Sequence, residues 1–219
     1  MNPIAKRTMA ALTTAALVVL AIIYAPSWLF RPVFGVLTVL AAIEACQLVA
    51  RRRKPLSPGG LLVLIPVVFV ITMAFSVLSH VATTHGNLML LSVIAIVKIS
   101  DMGGFALGLL SAKLMKGGNH KLCPTISPNK SWEGLLGSVL ASCILSCLFI
   151  PITHFGWPKA IAFGLVAALV GTAGDLVESK FKRWAGVKDS ATFMPAGMGG
   201  FLDMFDSLLI APTVLLSFL

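Results

Sequence analysis

Apolar runs long enough to cross a bilayer recur along the whole chain, and they constrain its fold more than any other feature. A spanning helix needs roughly 20 mostly apolar residues, and 58% of the 219 residues are apolar while only 11% are charged. We therefore predict an all-α, polytopic integral membrane helical bundle of about seven transmembrane helices, forming one domain over residues 1–219. The predicted spans are 8–28, 33–50, 60–82, 87–112, 135–156, 158–177 and 199–219.

Two of these spans carry further predictions. The first follows Lys6 and Arg7 and lacks a clean small-residue cleavage site, so we interpret it as a retained span and not as a signal peptide. The fourth contains Lys98 and Asp101, followed by the pair Gly103 and Gly104. Irregular backbone at membrane depth is tolerated where protein or water satisfies it, and we expect this span to be bent or broken there.

The basic residues are distributed unevenly between the predicted loops and set the orientation. With the N-terminus inside, the cytoplasmic segments hold fourteen Lys and Arg residues, and the opposite side holds only Arg31 and Lys159. This bias predicts an N-in, C-out topology, with cytoplasmic catalytic loops at about 113–134 and 178–198. Basic residues beside apolar spans also attract anionic headgroups, so the net charge of +9 does not require nucleic acid as a partner.

The acidic residues are few and gathered on one side. Seven of the eight fall in cytoplasmic loops or towards cytoplasmic span ends, and Glu44 lies alone in the second span. Asp175 with Glu178, and Asp203 with Asp206, are each three residues apart and so share a helix face. Hard oxygen ligands of this kind suit Mg²⁺. The alternative is that these acids only pair with nearby bases, and Glu44 could face the same cavity, pair with Lys98 or be an ordinary interfacial residue.

Candidate phosphate-binding groups lie close to these acids in the sequence. Lys130 belongs to a polar stretch, 127–134, that leads into the fifth span, and amides at a helix start bind anions readily. Gly199 and Gly200 allow the backbone to approach a ligand closely. Gly103 and Gly104 either do the same or allow tight helix packing. Metal-binding acids beside phosphate-binding bases indicate phosphoryl-type transfer at a lipid, and the chain has no P-loop pattern.

Two stretches resemble the phosphatidate cytidylyltransferase (CDP-diglyceride synthetase) family. The first runs from Asp101 to Gly134 and includes CPTISPNKSWEG, where the family has Pro-x-Ile-Ser-Pro-x-Lys-Thr-Trp-Glu-Gly. The second joins GDLVESKFKRWAGVKDS to GGFLDMFDS, against a family pattern of Ser-x-x-Lys-Arg, Lys-Asp and finally Asp-x-x-Asp. Met198 stands where the family usually has His, and Met204 where it usually has Arg. The stretch between Asp189 and Asp203 is one residue longer.

The resemblance implies CTP-dependent transfer to phosphatidate, giving CDP-diacylglycerol and pyrophosphate. It implies Mg²⁺, and room for a second cation, held by Asp175, Asp203 and Asp206, with phosphate held by bases. The implied catalytic residues are Asp203, Asp206, Asp175, Lys182 and Arg183. The implied substrate-binding residues are Lys130, Ser127, Lys188, Asp189, Ser179, Glu178, Glu133, Asp101, Gly199 and Gly200, of which Glu178 and Asp189 orient the bases.

Location, assembly and three alternatives complete the sequence-based interpretation. We expect a bacterial inner membrane with the active site on its cytoplasmic face, and a homodimer is an open alternative to a monomer. Met198 and Met204 leave open CTP-dependent activation or phosphorylation of another lipid, and also an inactive homologue. An ion-coupled transporter is disfavoured because the acids cluster at one face and not at the bilayer midplane.

Overall fold

The computed structural model describes residue 13 and residues 16–52, 57–115, 118–187 and 200–219, and within these it is almost entirely helical. A first helical segment, α1, covers residues 16–24. The longer helices are α2 (Phe30–Arg52), α3 (Pro58–Thr84), α4 (Asn87–Leu114), α5 (Trp132–Leu148) and α7 (Trp157–Ala185). The shorter ones are α6 (Ile150–Thr153), α8 (Phe201–Phe205) and α9 (Ala211–Leu215), with 3₁₀ turns at Ser27–Leu29, Asp206–Leu208 and Leu216–Phe218.

The prediction of an all-α membrane bundle is confirmed. Among the described residues, five helical stretches are long and apolar enough to cross a membrane: Ser27–Arg51, Pro58–Thr84, Asn87–Leu114, Trp157–Ala185 and Phe201–Phe218. The shorter apolar helix α5 accompanies them. The number of seven spans and the N-in orientation stay predictions.

The expected break in the fourth span is wrong, because α4 is one continuous helix through Asp101 and the two glycines. These glycines serve close packing against α5 instead. A Cβ atom on Gly103 would lie 2.5 Å from the carbonyl oxygen of Gly137, and one on Gly137 would lie 2.6 Å from Leu107 Cβ. Small residues at a helix interface let two backbones approach in this way.

Three other boundaries differ from the sequence-based ones. The fifth apolar run divides at Phe149 because Pro151, in the first turn of α6, cannot donate a backbone hydrogen bond to the preceding helix. The sixth run continues well past 177, so α7 ends only at Ala185, where Gly186 takes a left-handed conformation. The predicted loop at 178–198 is therefore helical over its first eight residues. The last run consists of the short pieces from α8 to the final 3₁₀ turn.

A small antiparallel hairpin precedes α5 and has no counterpart in the sequence-based prediction. Strand β1 (Lys121–Cys123) pairs with β2 (Ser127–Ser131), with Lys121 opposite Ser131. Ser131 then caps α5, since its hydroxyl accepts a hydrogen bond from the amide of Gly134 at 3.1 Å. The hairpin thereby fixes the polar stretch 127–131 directly at the start of α5.

The segment from residue 200 to residue 219, which we call the terminal segment, packs among α2, α3, α4 and α7. Phe205 meets Phe75 of α3 edge to face, with 5.3 Å between ring centroids. Glu44 of α2 is fully buried and accepts a hydrogen bond from the amide of Leu202 at 2.7 Å. On the α7 side, a Cβ on Gly174 would lie 2.7 Å from the carbonyl oxygen of Asp206. The terminal segment is thus in direct contact with helices from both halves of the chain.

Candidate metal and phosphate site

Three carboxylates from two elements form the centre of the candidate site. Asp175 and Glu178 lie one turn apart on α7, and Asp206 opens the 3₁₀ turn of the terminal segment. One oxygen atom from each of the three lies within 4.8 Å of the others, close enough to hold one metal ion. The absence of a side chain at Gly174 allows this proximity, because it lets the backbone of Asp206 lie directly against α7.

Lys182 lies beside this cluster and joins it to Asp203. Its ammonium nitrogen is 2.7 Å from Glu178 Oε2 and 2.7 Å from Asp203 Oδ1. The other oxygen of Asp203 accepts a hydrogen bond from the amide of Gly200 at 2.6 Å, which caps α8. The structure therefore brings Glu178 to Asp175 and Asp206, where the sequence-based ligand set had Asp203. Asp203 borders the cluster, since its carboxylate contacts Lys182, the Gly200 amide and the Glu178 side chain.

A cavity of about 260 Å³ opens beside Asp175 of the cluster, and we call it the polar cavity after the charged and hydroxyl groups in its otherwise partly apolar lining. Lys130 of the hairpin forms a salt bridge with Asp175 at its wall. Ser127, Asn129 and Asp101 also line it, as does the small-residue face of the α4–α5 pair. The cavity thus presents an ammonium group, a hydroxyl and an amide beside the candidate metal ligands, which is the set of groups that binds phosphate oxygens.

Glu133 fastens the hairpin that carries these groups. Its carboxylate accepts hydrogen bonds from the His120 amide at 3.1 Å and lies 2.7 Å from His120 Nδ1. These hydrogen bonds lower the pKa of Glu133 from 4.5 to about 2. The sequence-based interpretation gave Glu133 to substrate binding, whereas its carboxylate contacts the protein's own loop.

A second cavity, apolar and of about 160 Å³, reaches the cluster at Glu178. It is lined by Pro66 and Val70 of α3, Val177 of α7, and Leu202 and Ile210 of the terminal segment, together with Glu178. Glu178 therefore belongs both to the carboxylate cluster and to an apolar wall, while Asp175 belongs both to the cluster and to the polar cavity.

The charges of the described site fit a divalent cation. Five carboxylates (Asp101, Asp175, Glu178, Asp203 and Asp206) stand against three lysines (Lys98, Lys130 and Lys182), connected by the salt bridges above and those of Lys98. Five negative and three positive formal charges leave an excess of two negative charges. Uncompensated charge within a membrane span is costly, so a bound Mg²⁺ would balance this set.

Comparison with known proteins shows the family of this chain. The model of the cytidylyltransferase family matches residues 58–219, more than half of the chain. The chain belongs to the cytidylyltransferase family. It is similar to the phosphatidate cytidylyltransferase of Staphylococcus aureus strain COL, with 45% identity over 114 residues, which are 51% of this chain and 41% of that protein.

Two further relatives give the same coverage. The phosphatidate cytidylyltransferases of Staphylococcus epidermidis and Staphylococcus saprophyticus are 42% and 41% identical over 115 residues, again 51% of this chain and 41% of each relative. The aligned part therefore spans well under half of the length of these relatives. The family and the membrane-helix architecture of this cytidylyltransferase-family chain are established.

The remaining predicted site residues of this cytidylyltransferase homologue either have other contacts and positions or lie outside the described residues. Arg183 is exposed near the end of α7 and donates to the Val187 carbonyl at 3.2 Å. Ser179 is helical and half-buried. Gly200 contributes its amide to Asp203. Lys188, Asp189 and Gly199 lie outside the described residues, as does Met198.

Sequence reasoning missed the contacts of three residues in this cytidylyltransferase homologue. Glu44 was left between three alternatives, and in the structure one of its contacts is a hydrogen bond that it accepts from the amide of Leu202. Ser207, fully buried, binds Asp101 at 2.7 Å, although it follows directly after a predicted metal ligand. Lys98 was noted without a role. Its position in the middle of an apolar run was the available signal, because intramembrane charges default to functional or paired positions.

Proposed function

We propose that this chain catalyses CTP-dependent cytidylyl transfer to phosphatidate, forming CDP-diacylglycerol and pyrophosphate. One observation carries the proposal: Asp175 of the carboxylate cluster lines the polar cavity, and Glu178 of the same cluster lines the apolar cavity. A reaction between a nucleoside triphosphate and a phospholipid needs this junction, because one substrate is polar throughout and the other joins a phosphate to acyl chains. The names of the relatives support the same reaction.

The reaction requires no nucleophile from the protein. A phosphate oxygen of phosphatidate attacks the α-phosphorus of CTP, the new P–O bond forms, and the bond from the α-phosphorus to the bridging oxygen of pyrophosphate breaks. Both electrons of that bond leave with pyrophosphate. The chain has to align two anions that repel each other and to offset their charge.

Among the described residues, one set would hold the metal ion and another would bind the phosphate groups. Asp175, Glu178 and Asp206 are the residues that would hold Mg²⁺, whose charge would offset the negative charge on the transferring group. Lys130, with Ser127 and Asn129, is placed to bind phosphate oxygens in the polar cavity. Lys182 keeps Glu178 and Asp203 in place and holds a positive charge beside the cluster.

The location and assembly belong to the same proposal. The excess of basic residues supports the α7 end at Ala185 facing the cytoplasm, so that CTP reaches the cluster from that side of a bacterial inner membrane. The homodimer stays an open alternative to a monomer, and the mass of the particle in detergent, after the mass of the bound detergent is subtracted, distinguishes the two.

A second lipid acceptor remains a candidate because of Met204. Its side chain is 48% exposed and uncharged, at the place where the family pattern has Arg. If that basic group helps to select the acceptor, another lipid phosphate would replace phosphatidate as the nucleophile while the nucleotide chemistry stays the same.

The deciding experiment measures pyrophosphate release by the purified full chain in detergent, given CTP, phosphatidate and Mg²⁺. We expect release that requires both CTP and lipid, that ATP does not support, and that Asp206→Asn abolishes. Lys159→Met, a charge change on α7 distant from the cluster in sequence, serves as the control and should retain activity. CTP-dependent release with another lipid phosphate, and none with phosphatidate, would establish the second candidate. No release with any lipid, from folded protein, would contradict the transferase proposal.

A further inference from the structure

Lys98 carries a positive charge in the middle of a membrane span. At a rise of 1.5 Å per residue it lies about 16 Å from the Asn87 end of α4 and about 24 Å from the Leu114 end. Charged side chains at such depth are costly, and those that occur pair with other groups or serve a functional site. The proposed transfer reaction gives Lys98 no direct part.

The ammonium group of Lys98 joins α4 to the terminal segment. Its nitrogen donates to the Met204 carbonyl at 2.9 Å and to the Ser207 hydroxyl at 3.0 Å. It also lies 3.6 Å from Asp101 Oδ2 and 3.7 Å from Asp206 Oδ1. An ammonium group has three N–H donors, and four protein oxygens already surround this one. The geometry therefore favours holding the protein together over binding a substrate phosphate.

The same contacts converge on Asp206 through Ser207. The Ser207 hydroxyl accepts from Lys98 and donates to Asp101 Oδ2 at 2.7 Å, and the Ser207 amide donates to Asp206 Oδ1 at 2.6 Å. Asp206 belongs to a three-residue 3₁₀ turn, which has little stability of its own. Its place beside Asp175 and Glu178 therefore depends on contacts from the longer helices.

Position 204 supplies a second observation. The pattern in the final motif leads to the expectation of a basic side chain there, and this chain has Met204, whose side chain is uncharged. The positive charge that contacts this turn comes from α4 instead, because Lys98 binds the backbone carbonyl of Met204 itself. A cation thus remains beside Asp206, supplied by a different helix.

We propose that Lys98 is a positioning residue for the metal-binding carboxylates. It fastens the turn Asp206–Leu208 to α4, so that Asp206 is held where it meets Asp175 and Glu178. The inference rests on the proposed function only through the metal site that it supports. It predicts that metal binding depends on the contacts of Lys98, and not on its charge alone.

Metal affinity distinguishes a positioning role from a purely electrostatic one, because removal of the Lys98 charge changes the affinity in opposite directions in the two cases. A positive charge 3.7 Å from a ligand oxygen repels a metal ion, so removing it by Lys98→Met would tighten metal binding if charge were its only effect. If Lys98 positions Asp206, the same variant weakens binding by about tenfold or more, the scale of losing a hydrogen bond to a charged group. Lys98→Arg, which keeps a cation with several donors, should bind metal more tightly than Lys98→Met.

The measurement is Mn²⁺ binding, followed by electron paramagnetic resonance, to the purified full chain and its variants. We expect weaker binding in Lys98→Met, partial recovery when Met204→Arg is added to it, and no change in Lys159→Met. Equal or tighter Mn²⁺ binding by folded Lys98→Met would overturn the inference. If Lys98→Met does not fold, Ser207→Ala decides: it removes the hydroxyl between Lys98 and Asp101, and unchanged affinity there would equally overturn it.

This readout is independent of the transfer reaction. Mn²⁺ binding involves neither lipid nor nucleotide. Wild-type protein that binds Mn²⁺ but releases no pyrophosphate would contradict the proposed function, and the Mn²⁺ affinity of Lys98→Met could still be compared with that of wild type. Wild-type protein with activity, together with a Lys98→Met variant of unchanged Mn²⁺ affinity, would leave the function standing and remove the positioning role.

Discussion

The α4–α5 pair and the terminal segment are built by opposite means around the same site. The helices of the pair touch through glycine and serine, with Gly103 against Gly137 and Gly104 against Ser138. The terminal segment has only five-residue helices and 3₁₀ turns, and polar contacts from other helices attach it: Glu44 to Leu202, Lys182 to Asp203 and Lys98 to the turn at Asp206. One part is held by close backbone packing and the other by charges and hydrogen bonds.

This difference assigns separate tasks to the two parts. The close-packed pair and its hairpin form a wall of the polar cavity, with Lys130 fixed at the hairpin. The terminal segment brings the carboxylate that completes the candidate metal site, Asp206, to the two on α7. Changes in the pair should therefore act first on stability, whereas changes at the attachments of the terminal segment should act first on metal binding and turnover.

The largest effect is expected from Glu178→Gln, which keeps the size of the side chain but removes a carboxylate of the cluster. We expect Mn²⁺ binding to be lost and pyrophosphate release to fall by about a thousandfold, since metal coordination contributes several kcal/mol to such transition states. Asp203→Asn is the matched comparison, because Asp203 borders the cluster through its hydrogen bond with Glu178 and also binds Lys182 and Gly200. It should keep Mn²⁺ binding within a few-fold; a complete loss there would return Asp203 to the ligand set.

The next effect concerns stability at the close-packed pair. In Gly137→Ala the new methyl group would meet Leu107 Cβ at 2.6 Å and lie closer still to the Gly103 carbonyl. Overpacking of this kind costs about 1–3 kcal/mol, and thermal unfolding in detergent should occur at a clearly lower temperature. Gly35→Ala on α2 is the control, since nothing lies within 4 Å of its added Cβ. An equal change in both variants would argue against the packing role.

Gly174→Ala tests the terminal segment in the same way and should affect turnover more than stability. Its Cβ would lie 2.7 Å from the Asp206 carbonyl oxygen and displace the turn that carries this carboxylate. A small misplacement of a reacting group can cost up to about a hundredfold, and we expect about a tenfold loss of pyrophosphate release. Gly171→Ala, whose nearest neighbour would lie at 3.6 Å, should behave like wild type.

Part of the candidate site could be predicted from the sequence, and there are physical reasons why the rest could not. The spacing of Asp175 and Glu178 placed both on one face of a helix, as the structure has them. The same spacing predicted one face for Asp203 and Asp206 on the assumption of a continuous helix. The helix α8 ends at Phe205 and a 3₁₀ turn begins at Asp206, yet both carboxylates lie next to Glu178.

Contacts between distant parts of the chain could not be predicted from the local spacing of residues in the sequence. Neither Lys98 with the turn at Asp206 nor Glu44 with Leu202 follows from spacing, since they connect residues more than a hundred positions apart. Likewise, the pair Gly103 and Gly104 allowed two interpretations that only the position of α5 could separate. The sequence identified which residues were unusual for a membrane span, and the packing decided their partners.

The smallest effect is expected at the hairpin, where Glu133→Gln should make thermal stability less dependent on pH. The pKa of Glu133 is lowered from 4.5 to about 2 by its hydrogen bonds with His120. A lowered folded-state pKa means that the ionised group contributes stability above about pH 4.5, and that this contribution disappears as the pH falls towards 2. The difference in unfolding temperature between wild type and Glu133→Gln should therefore be greatest near neutral pH and shrink between pH 4.5 and 2.5. A difference that stays constant over this range would show that the ionised carboxylate of Glu133 does not stabilise the hairpin. Another contact would then have to hold the hairpin, and with it Lys130, at the polar cavity.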